Sequence, residues 1–205
     1  MSTRPSTDAT TSEQILRLAA ENKGQITSAM VTERGWSRGL LLYLVRKGQL
    51  ECVQRGIYVL PGAWEDEFFN CQIRFSRGVY SHETALYLWG MTDRTPSALR
   101  MTFPSTYNVG GAKNAGVICS QAKPDWYALG VTGCATPTGH QVRVYNREHT
   151  LCDFLRPKAR ADIQQVGAAF RQYVRLREKN IPLLSEYARR IGVAEQLKSY
   201  LEVLL

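Results

Sequence analysis

Side chains that can bind phosphate groups and the edges of nucleic-acid bases recur between positions 27 and 55 of this 205-residue chain. Arginine and lysine donate hydrogen bonds to phosphate oxygens, and arginine, serine, threonine and glutamine also bond to base edges in a groove. The predicted DNA-binding set is Thr27, Ser28, Ser37, Arg38, Leu42, Tyr43, Arg46, Lys47, Gln54 and Arg55. Its two apolar members, Leu42 and Tyr43, are included because they lie opposite Leu41 and Leu44 on a predicted helix.

Other reactive side chains form no recognisable catalytic or metal-binding pattern. The five cysteines are widely spaced without a Cys-x-x-Cys pair, and the three histidines are scattered, so we expect no metal site. Pro124-Asp125 has no matching Glu-x-Lys or Asp-x-Lys on the following strand, where Gln141-Val142-Arg143 stands, which disfavours a metal-dependent nuclease. His82 and Glu83 are neighbours on a predicted helix, so their side chains point apart. We therefore predict that the protein is not an enzyme and binds no cofactor.

Three helices and a hairpin are predicted to position the DNA-binding set. Thr11-Ser12-Glu13-Gln14 fits a capping box that begins the first helix, and Gly48 is typical of the left-handed stop after the third. The predicted helices cover 11–23, 27–34 and 37–47. Residues 50–60 then alternate around Gln54-Arg55-Gly56, which predicts a β-hairpin. A change from helical to strand periodicity directly after a glycine indicates a winged helix-turn-helix.

The third helix of such a module lies in the major groove, with its N-terminal half toward the base edges. Ser37 and Arg38 occupy that half of the helix. Arg46 and Lys47 end the helix, where we expect them to reach phosphates.

The hairpin and the second helix supply the remaining predicted contacts. Arg55, with Gln54 beside it, lies at the hairpin tip and is expected to reach a minor groove or a phosphate. Thr27 and Ser28 open the second helix, the usual position of an anchor to the phosphate backbone. The alternative is a winged helix that binds protein, in which these polar side chains form a solvated face.

The chain carries a formal net charge of +8 and has a pI near 9.4, which favours polyanionic partners. Between residues 156 and 190, nine basic residues accompany three acidic ones. The predicted second basic surface consists of Arg156, Lys158, Arg160, Arg171, Arg175 and Lys179. This surface is either a second polyanion-binding site or a solvated helix face.

Beyond Pro61-Gly62 the sequence pattern becomes that of a mixed α/β domain. Trp64, Phe68, Cys71 and Phe75 recur at helical spacing, which predicts a helix with one apolar face. Further helices are predicted over 82–89, 149–155, 162–179, 180–192 and 193–205, and strands over 99–103, 117–120, 126–129 and 141–145. Residues 110–113 read Gly-Gly-Ala-Lys without the spacing of a phosphate-binding loop and are interpreted as a surface loop.

The predicted fold class is α+β: an N-terminal winged helix-turn-helix followed by a mixed α/β domain that ends in a helical bundle. The predicted domains are a disordered tail over 1–10, the winged helix-turn-helix over 11–62 and the C-terminal domain over 63–205. The tail has no apolar h-region, and no apolar run reaches membrane-spanning length. We therefore expect a cytoplasmic protein without a membrane partner.

Three segments carry a resemblance to a known family. They read LECVQRGIYVLPG over 50–62, YSHETALYLWGM over 80–91 and VRVYNREHTLCD over 142–153. In this order they resemble the AbiE-type antitoxins of prokaryotic type IV toxin–antitoxin systems. The resemblance runs from about Ser12 to the C-terminus.

The resemblance implies an antitoxin that takes part in abortive infection and phage defence and is also a transcriptional repressor. Its winged helix would bind inverted repeats in double-stranded DNA upstream of its own operon and so autoregulate that operon. Its C-terminal domain would counteract a nucleotidyltransferase toxin without forming a stable complex. We expect a free monomer, with two copies on one operator.

Two other classes of protein stay open from the residues alone. Trp89, Trp126, Tyr127 and Tyr145 could line a pocket, as in a winged-helix transcription factor with a ligand-sensing C-terminal domain. The second alternative is a nuclease or nucleotidyltransferase that a winged helix targets to nucleic acid. The sequence disfavours it because a clustered set of carboxylates for a divalent cation is missing.

Overall fold

The computed structural model describes residues 10–157 and 163–204. These residues contain helices and two β-sheets, and the predicted α+β class is confirmed. The predicted tail, except Thr10, lies outside the described residues. Lys158 and Arg160 of the predicted second basic surface also lie outside them.

The described residues divide into two units, which we treat separately. Unit 1 contains residues 10–70 together with Thr138–His140. Unit 2 contains the other described residues, from Cys71 onward. The break along the chain therefore falls after Asn70 and not after Gly62, and unit 1 is discontinuous in sequence.

Unit 1 is a helix-turn-helix with a hairpin and one further strand. Its elements are α1 (Thr11–Glu21), β1 (Gln25–Thr27), α2 (Ser28–Glu33), α3 (Gly39–Arg46), β2 (Glu51–Gln54) and β3 (Ile57–Val59). The strands form an antiparallel sheet in the order β1-β3-β2, so the predicted hairpin pairs along its second strand with β1. All three residues of β1 are buried, so this strand lacks the alternation of polar and apolar side chains by which a sequence reveals a strand.

Local capping bonds begin and end the helices of unit 1. Thr10 and Glu13 form a capping box, one residue earlier than the one predicted at Thr11–Gln14. Thr10 N donates to Glu13 Oε2 at 2.7 Å, and Glu13 N donates to Thr10 Oγ1 at 3.4 Å. Gly48 follows α3 with a φ of +69°, the predicted left-handed stop. α3 itself begins at Gly39, later than the predicted Ser37, whose hydroxyl accepts from Gly39 N at 3.2 Å.

The core of unit 1 includes the inner face of α3. The residues buried together are Ile15, Ala19, Ile26, Val31, Leu41, Leu44, Leu50 and Tyr58. Burial of a leucine or isoleucine side chain stabilises a fold by about 1.5–3 kcal/mol. Leu41 and Leu44 are one helical turn apart, so their burial determines which side of α3 is exposed.

The segment Thr138–His140 is an integral part of unit 1. The imidazole of His140 stacks on Phe69, with the ring centroids 4.2 Å apart. Its Nδ1 lies 2.8 Å from Asp66 Oδ2, and its Nε2 lies 3.2 Å from the carbonyl oxygen of Asn22. The Thr138 hydroxyl donates to the same Asp66 oxygen. Oxygen acceptors therefore face both ring nitrogens, and the segment is held by polar contacts as well as by stacking.

Unit 2 contains a five-stranded mixed sheet in the order β6-β5-β4-β8-β7. Its strands are β4 (Val79–Tyr80), β5 (Arg100–Pro104), β6 (Ile118–Ala122), β7 (Val131–Ala135) and β8 (Gln141–Tyr145). The pairs β4–β5 and β7–β8 are antiparallel, whereas β5–β6 and β4–β8 are parallel. The helices are α4 (Glu67–Arg74), which spans the break between units, α5 (His82–Leu88), α6 (Gly110–Asn114), α7 (Pro124–Ala128), α8 (Arg147–Leu155), α9 (Ile163–Arg175), α10 (Ile181–Ile191) and α11 (Ala194–Leu204).

Three predicted features of residues 63–145 differ in the structure, and strands β4 and β7 were not predicted. The strand predicted over 126–129 is helix α7, which Pro124 opens in its first turn, where a proline lacks no hydrogen bond. Residues 110–113 lie in the short helix α6 and not in a loop. Trp64 lies outside α4 and is 87% exposed, so the predicted apolar face does not begin there. Strand β7 was not predicted because small and polar residues predominate in Val131–Ala135.

Helix α8 is buried along almost its whole length, although half of its buried residues are polar. The buried residues are Glu148, His149, Thr150, Leu151, Cys152, Asp153, Phe154 and Leu155. One polar contact joins three helices: Tyr173 Oη on α9 donates to Glu148 Oε1 at 2.8 Å and accepts from Asn180 N, at the start of α10, at 2.8 Å. Buried polar groups need such partners, because an unsatisfied one is costly.

Asp153 is the centre of a buried ionic cluster in unit 2. Its Oδ2 lies 3.8 Å from Nδ1 of His82 and 3.5 Å from Nε2 of His149, and its Oδ1 lies 3.5 Å from Nη1 of Arg156. His82 adopts a φ of +51°, an uncommon conformation for a residue other than glycine. Burial by itself would raise the pKa of Asp153, but the two imidazoles and the Arg156 guanidinium hold that pKa well below its usual range.

The pKa of His82 is also lowered in this cluster, but there burial has the larger effect. Burial lowers the pKa of His82 from 6.5, and the neighbouring Asp153 carboxylate offsets only part of that effect. Arg100 and Arg156 also lower this pKa, whereas Glu83 raises it. The folded protein therefore resists protonation of His82, while the unfolded chain accepts a proton there at mildly acidic pH.

We expect the protein to lose stability as the pH falls below about 6.5, and His82→Asn to weaken that dependence. Below this pH the unfolded state binds a proton at His82 that the folded state does not bind. The free energy of unfolding therefore falls by at most about 1.4 kcal/mol per pH unit. Asparagine tolerates a positive φ and does not titrate. Thermal unfolding of both proteins at about pH 7.5 and about pH 5.5 measures the effect. Equal pH dependence in the two proteins would contradict it.

Candidate nucleic-acid interface

One face of α3 is fully presented to solvent. Gly39, Leu42, Tyr43 and Arg46 recur at i, i+3, i+4 and i+7, and all four are exposed. Leu42 is 54% exposed and Tyr43 is 48% exposed, high fractions for large apolar residues. The predicted placement of Leu42 and Tyr43 opposite the buried side of α3 is therefore what the structure shows. We call these four residues the outer face of α3.

The chain just before α3 holds the two residues predicted to read base edges. Ser37 and Arg38 are both exposed. Arg38 Nε donates to the hydroxyl of Thr32, just within α2, at 2.8 Å. A guanidinium has five N–H donors, and this bond uses one of them. The contact therefore orients the Arg38 side chain while its Nη groups retain four donors.

Basic side chains also follow the outer face at its C-terminal end. Arg46 and Lys47 are exposed, as predicted for residues that contact phosphates. Lys47 Nζ lies 5.8 Å from the centroid of the Tyr43 ring, a distance at which a cation is attracted to the π face of an aromatic ring. This contact places the ammonium group beside the ring.

Of the two residues predicted to contact DNA at the hairpin tip, Arg55 is exposed to solvent and Gln54 is not. Arg55 is exposed at the tip, next to Gly56, whose φ of +84° permits the tight turn. Gln54 is half-buried, and its Nε2 donates to the carbonyl oxygen of Asn70 at 3.4 Å. Arg55 therefore stays in the candidate interface. The side-chain amide of Gln54 instead bonds to the backbone of Asn70.

Thr27 and Ser28, which were predicted to contact phosphates at the start of α2, are not exposed in the structure. Thr27 is only 4% exposed, and its hydroxyl accepts from Met30 N at 3.2 Å, so this side chain caps the helix. Ser28 is half-buried, and its backbone N–H donates to Gly56 O at 2.8 Å. A buried hydroxyl that already caps a helix is not presented to a phosphate. We therefore leave Thr27 out of the candidate interface.

The predicted second basic surface is only partly assembled. Arg171 and Arg175 are exposed one turn apart on α9, and Lys179, also exposed, follows that helix. Arg156 instead pairs with Asp153, and its guanidinium lies 5.1 Å from the centroid of the Trp126 ring. Arg156 is therefore occupied in neutralising a buried carboxylate.

The aromatic residues proposed to line a pocket pack against other side chains of unit 2. The guanidinium of Arg147 lies 4.8 Å from the Trp89 ring centroid, and that of Arg143 lies 5.9 Å from the Tyr127 centroid. The ring of Tyr145 stacks on the imidazole of His149, with the ring centroids 3.8 Å apart. These contacts, with that of Trp126, show aromatic residues that cover charged side chains in the fold.

Comparison with known families identifies the N-terminal region. Residues 13–61, which run from the first turn of α1 to the end of β3, match the family described as "Transcriptional regulator, AbiEi antitoxin". This region is similar to the AbiEi antitoxins. The resemblance predicted from the sequence is thereby confirmed over these residues. The exposed outer face of α3 lies within the AbiEi region.

A solved structure shares the fold of the chain. It is described as "Crystal structure of RV2827C protein from Mycobacterium tuberculosis", and it is similar to this chain with a TM-score of 0.53 and 15% sequence identity. The similarity covers 89% of this chain and 72% of that chain. At this identity the likeness shows the fold alone. The comparison with curated proteins found no match.

Within residues 10–157 and 163–204, we find no helix long and apolar enough to cross a membrane.

We expect Thr27→Ala to destabilise the protein by about 1 kcal/mol, because it removes a helix cap. The salt dependence of DNA affinity should stay unchanged, since the Thr27 hydroxyl is buried. Thr27→Ser keeps the hydroxyl and is the matched control for stability. Chemical denaturation measures the first effect, and DNA titrations over a range of salt concentrations measure the second. A flatter salt dependence in Thr27→Ala would return Thr27 to the interface.

Proposed function

We propose that this protein is a sequence-specific DNA-binding repressor of its own operon. The observation that carries the proposal is the outer face of α3, which is exposed within an AbiEi-type region and flanked by basic side chains. Between residues 34 and 55 the chain has five basic residues and one acidic residue. Such a balance favours a polyanion through release of condensed counterions.

The mode of binding follows from the helix and the hairpin. α3 enters the major groove of one half-site, with Ser37 and Arg38 toward base edges, and Arg46 and Lys47 on phosphates. Arg55 at the hairpin tip contacts the adjacent minor groove or a phosphate. Two copies, each a monomer when free, bind the two halves of an inverted repeat.

The proposal extends to an antitoxin role for unit 2 in the cytoplasm, as part of a type IV phage-defence system. Unit 2 counteracts a nucleotidyltransferase toxin without forming a stable complex. The resemblance of 80–91 and 142–153 to AbiE-type antitoxins supports this role. Both segments lie partly in the core, where His82, His149 and Asp153 are buried. Neutralising contacts are therefore to be sought on other, exposed parts of unit 2. Co-expression with a nucleotidyltransferase encoded beside this gene tests the role, and unrelieved toxicity would overturn it.

A fluorescence-anisotropy titration of the full chain tests the repressor proposal. The labelled duplex is the DNA upstream of the protein's own gene, and a scrambled duplex of equal composition is the competitor. Specific repressors bind their operators about 10³-fold or more tightly than other DNA. Equal affinity for the two duplexes would overturn the proposal and favour a winged helix that binds protein.

We expect Arg55→Ala to reduce the slope of log K against log salt concentration by about one, because one phosphate contact is lost. Arg17→Ala is the matched control: Arg17 is an exposed arginine of the same unit, on α1, outside the interface. The titration above, repeated over a range of salt concentrations, measures both slopes. An equal loss of slope in both variants would mean that Arg55 contributes only through net charge.

A further inference from the structure

The outer face of α3 has an unusual composition for a surface that binds DNA. Leu42 and Tyr43 occupy its middle, and Gly39 lies one turn earlier without a side chain. The first hydrogen-bonding groups on this face are therefore the Tyr43 hydroxyl and the Arg46 guanidinium. The polar residues Ser37 and Arg38 precede the helix and do not share its middle turn.

The charges around this face favour DNA as its occupant. Arg38 lies before the face, Arg46 and Lys47 lie at its end, and Arg55 is exposed on the hairpin. An apolar strip between basic side chains is complementary to the major groove, whose phosphate-lined walls flank a floor of base edges. A protein partner with an apolar surface would have to bury or pair these cations, which costs free energy.

The chemistry of the groove then selects the base. The C5-methyl group of thymine is the apolar feature that unmodified base pairs display in the major groove. The other base edges display hydrogen-bond donors and acceptors there, and a leucine packed against one of them would remove water without replacing its hydrogen bond. A thymine methyl loses no hydrogen bond on such contact.

We propose that Leu42 recognises a thymine methyl group at the centre of each half-site, with the ring of Tyr43 beside it. The inference rests on the proposed function, because it specifies what the same helix recognises. Gly39 supports it, since a residue without a side chain lets the first turn of α3 approach the groove closely. Lys47 supports it by its position beside the Tyr43 ring. Discrimination at the centre of the half-site thus comes from apolar contact, and hydrogen bonds act at its edges.

A library of randomised duplexes that contain thymidine tests this inference with the full-length protein. Deoxyuridine pairs identically but lacks the C5-methyl group, so it serves as the replacement for thymidine. Rounds of binding and sequencing on the thymidine library yield a preferred duplex. That duplex is then resynthesised with single thymine-to-uracil replacements at each position. We expect a loss of affinity of about threefold to fivefold for each contacted methyl group.

Three variants assign the effect to the helix. Leu42→Ala should bind the thymine and uracil duplexes equally, because it no longer reaches the methyl group. Leu42→Met keeps an apolar side chain of similar size and should retain the discrimination. Ile118→Ala is the matched control, since Ile118 is an apolar residue of unit 2 that is 45% exposed. It should leave the discrimination unchanged.

The outcomes separate this inference from the proposed function. A preferred duplex that binds equally well with uracil at every position would overturn the inference and leave the repressor proposal intact. A library that yields no preferred duplex would overturn both. Uracil sensitivity that persists in Leu42→Ala would also overturn the inference, because other residues would then contact the methyl groups. If Leu42→Ala unfolds, as circular dichroism would show, Leu42→Gln, a polar side chain of similar size, decides: lost uracil sensitivity supports the inference and retained sensitivity overturns it.

Discussion

Burial of the inner edge of α3 determines what the rest of unit 1 can present to a partner. Leu41 and Leu44 pack into the core that α1, β1 and the hairpin share. Since an α-helix turns every 3.6 residues, residues 39, 42, 43 and 46 must then face outward. The stop at Gly48 sets where the helix ends and therefore where Arg46 and Lys47 lie. The candidate interface is thus a consequence of core packing. Burial of Leu41 and Leu44 leaves the opposite face of α3 exposed.

A second constraint acts in unit 2, where a buried carboxylate must be neutralised. Asp153 is on α8, and His82 begins α5, so the cluster joins two helices that are far apart in sequence. Removal of one partner from a buried ionic group is costly, because it leaves an uncompensated charge. The left-handed conformation of His82 is stable only because its surroundings hold it in place. Residues 80–91 and 142–153, which contain these side chains, therefore contribute to the core of unit 2.

Much of unit 1 could be predicted from the sequence because its signals are local. The capping box that begins α1, one residue from its predicted position, the left-handed stop at Gly48 and the turn at Gly56 each depend on a few adjacent residues. Strand β1 could not be predicted, since its three buried residues show no periodicity and its partner lies thirty residues further along. The burial of Thr27 follows from that pairing, so the local sequence could not show that its hydroxyl is buried as the cap of α2.

Unit 2 was harder to predict because its contacts are nonlocal. The cluster around Asp153 joins side chains from His82 to Arg156, and no spacing rule connects them. Arg156 had the charge expected for a basic surface, but the sequence could not show that a buried carboxylate pairs with it. Trp126 and Tyr127 favour a strand in the sequence, whereas Pro124 fits the first turn of a helix, and the structure forms helix α7 there.

The place of Thr138–His140 in unit 1 has a consequence for how such a head can be exchanged between proteins. A recombination event or an excision that transfers residues 10–70 alone leaves His140 behind. The Phe69 ring then loses its stacking partner, and the Asp66 carboxylate loses the imidazole and hydroxyl that face it. Unit 1 is therefore not contiguous in sequence, and a transfer that keeps it intact must include the short segment between β7 and β8.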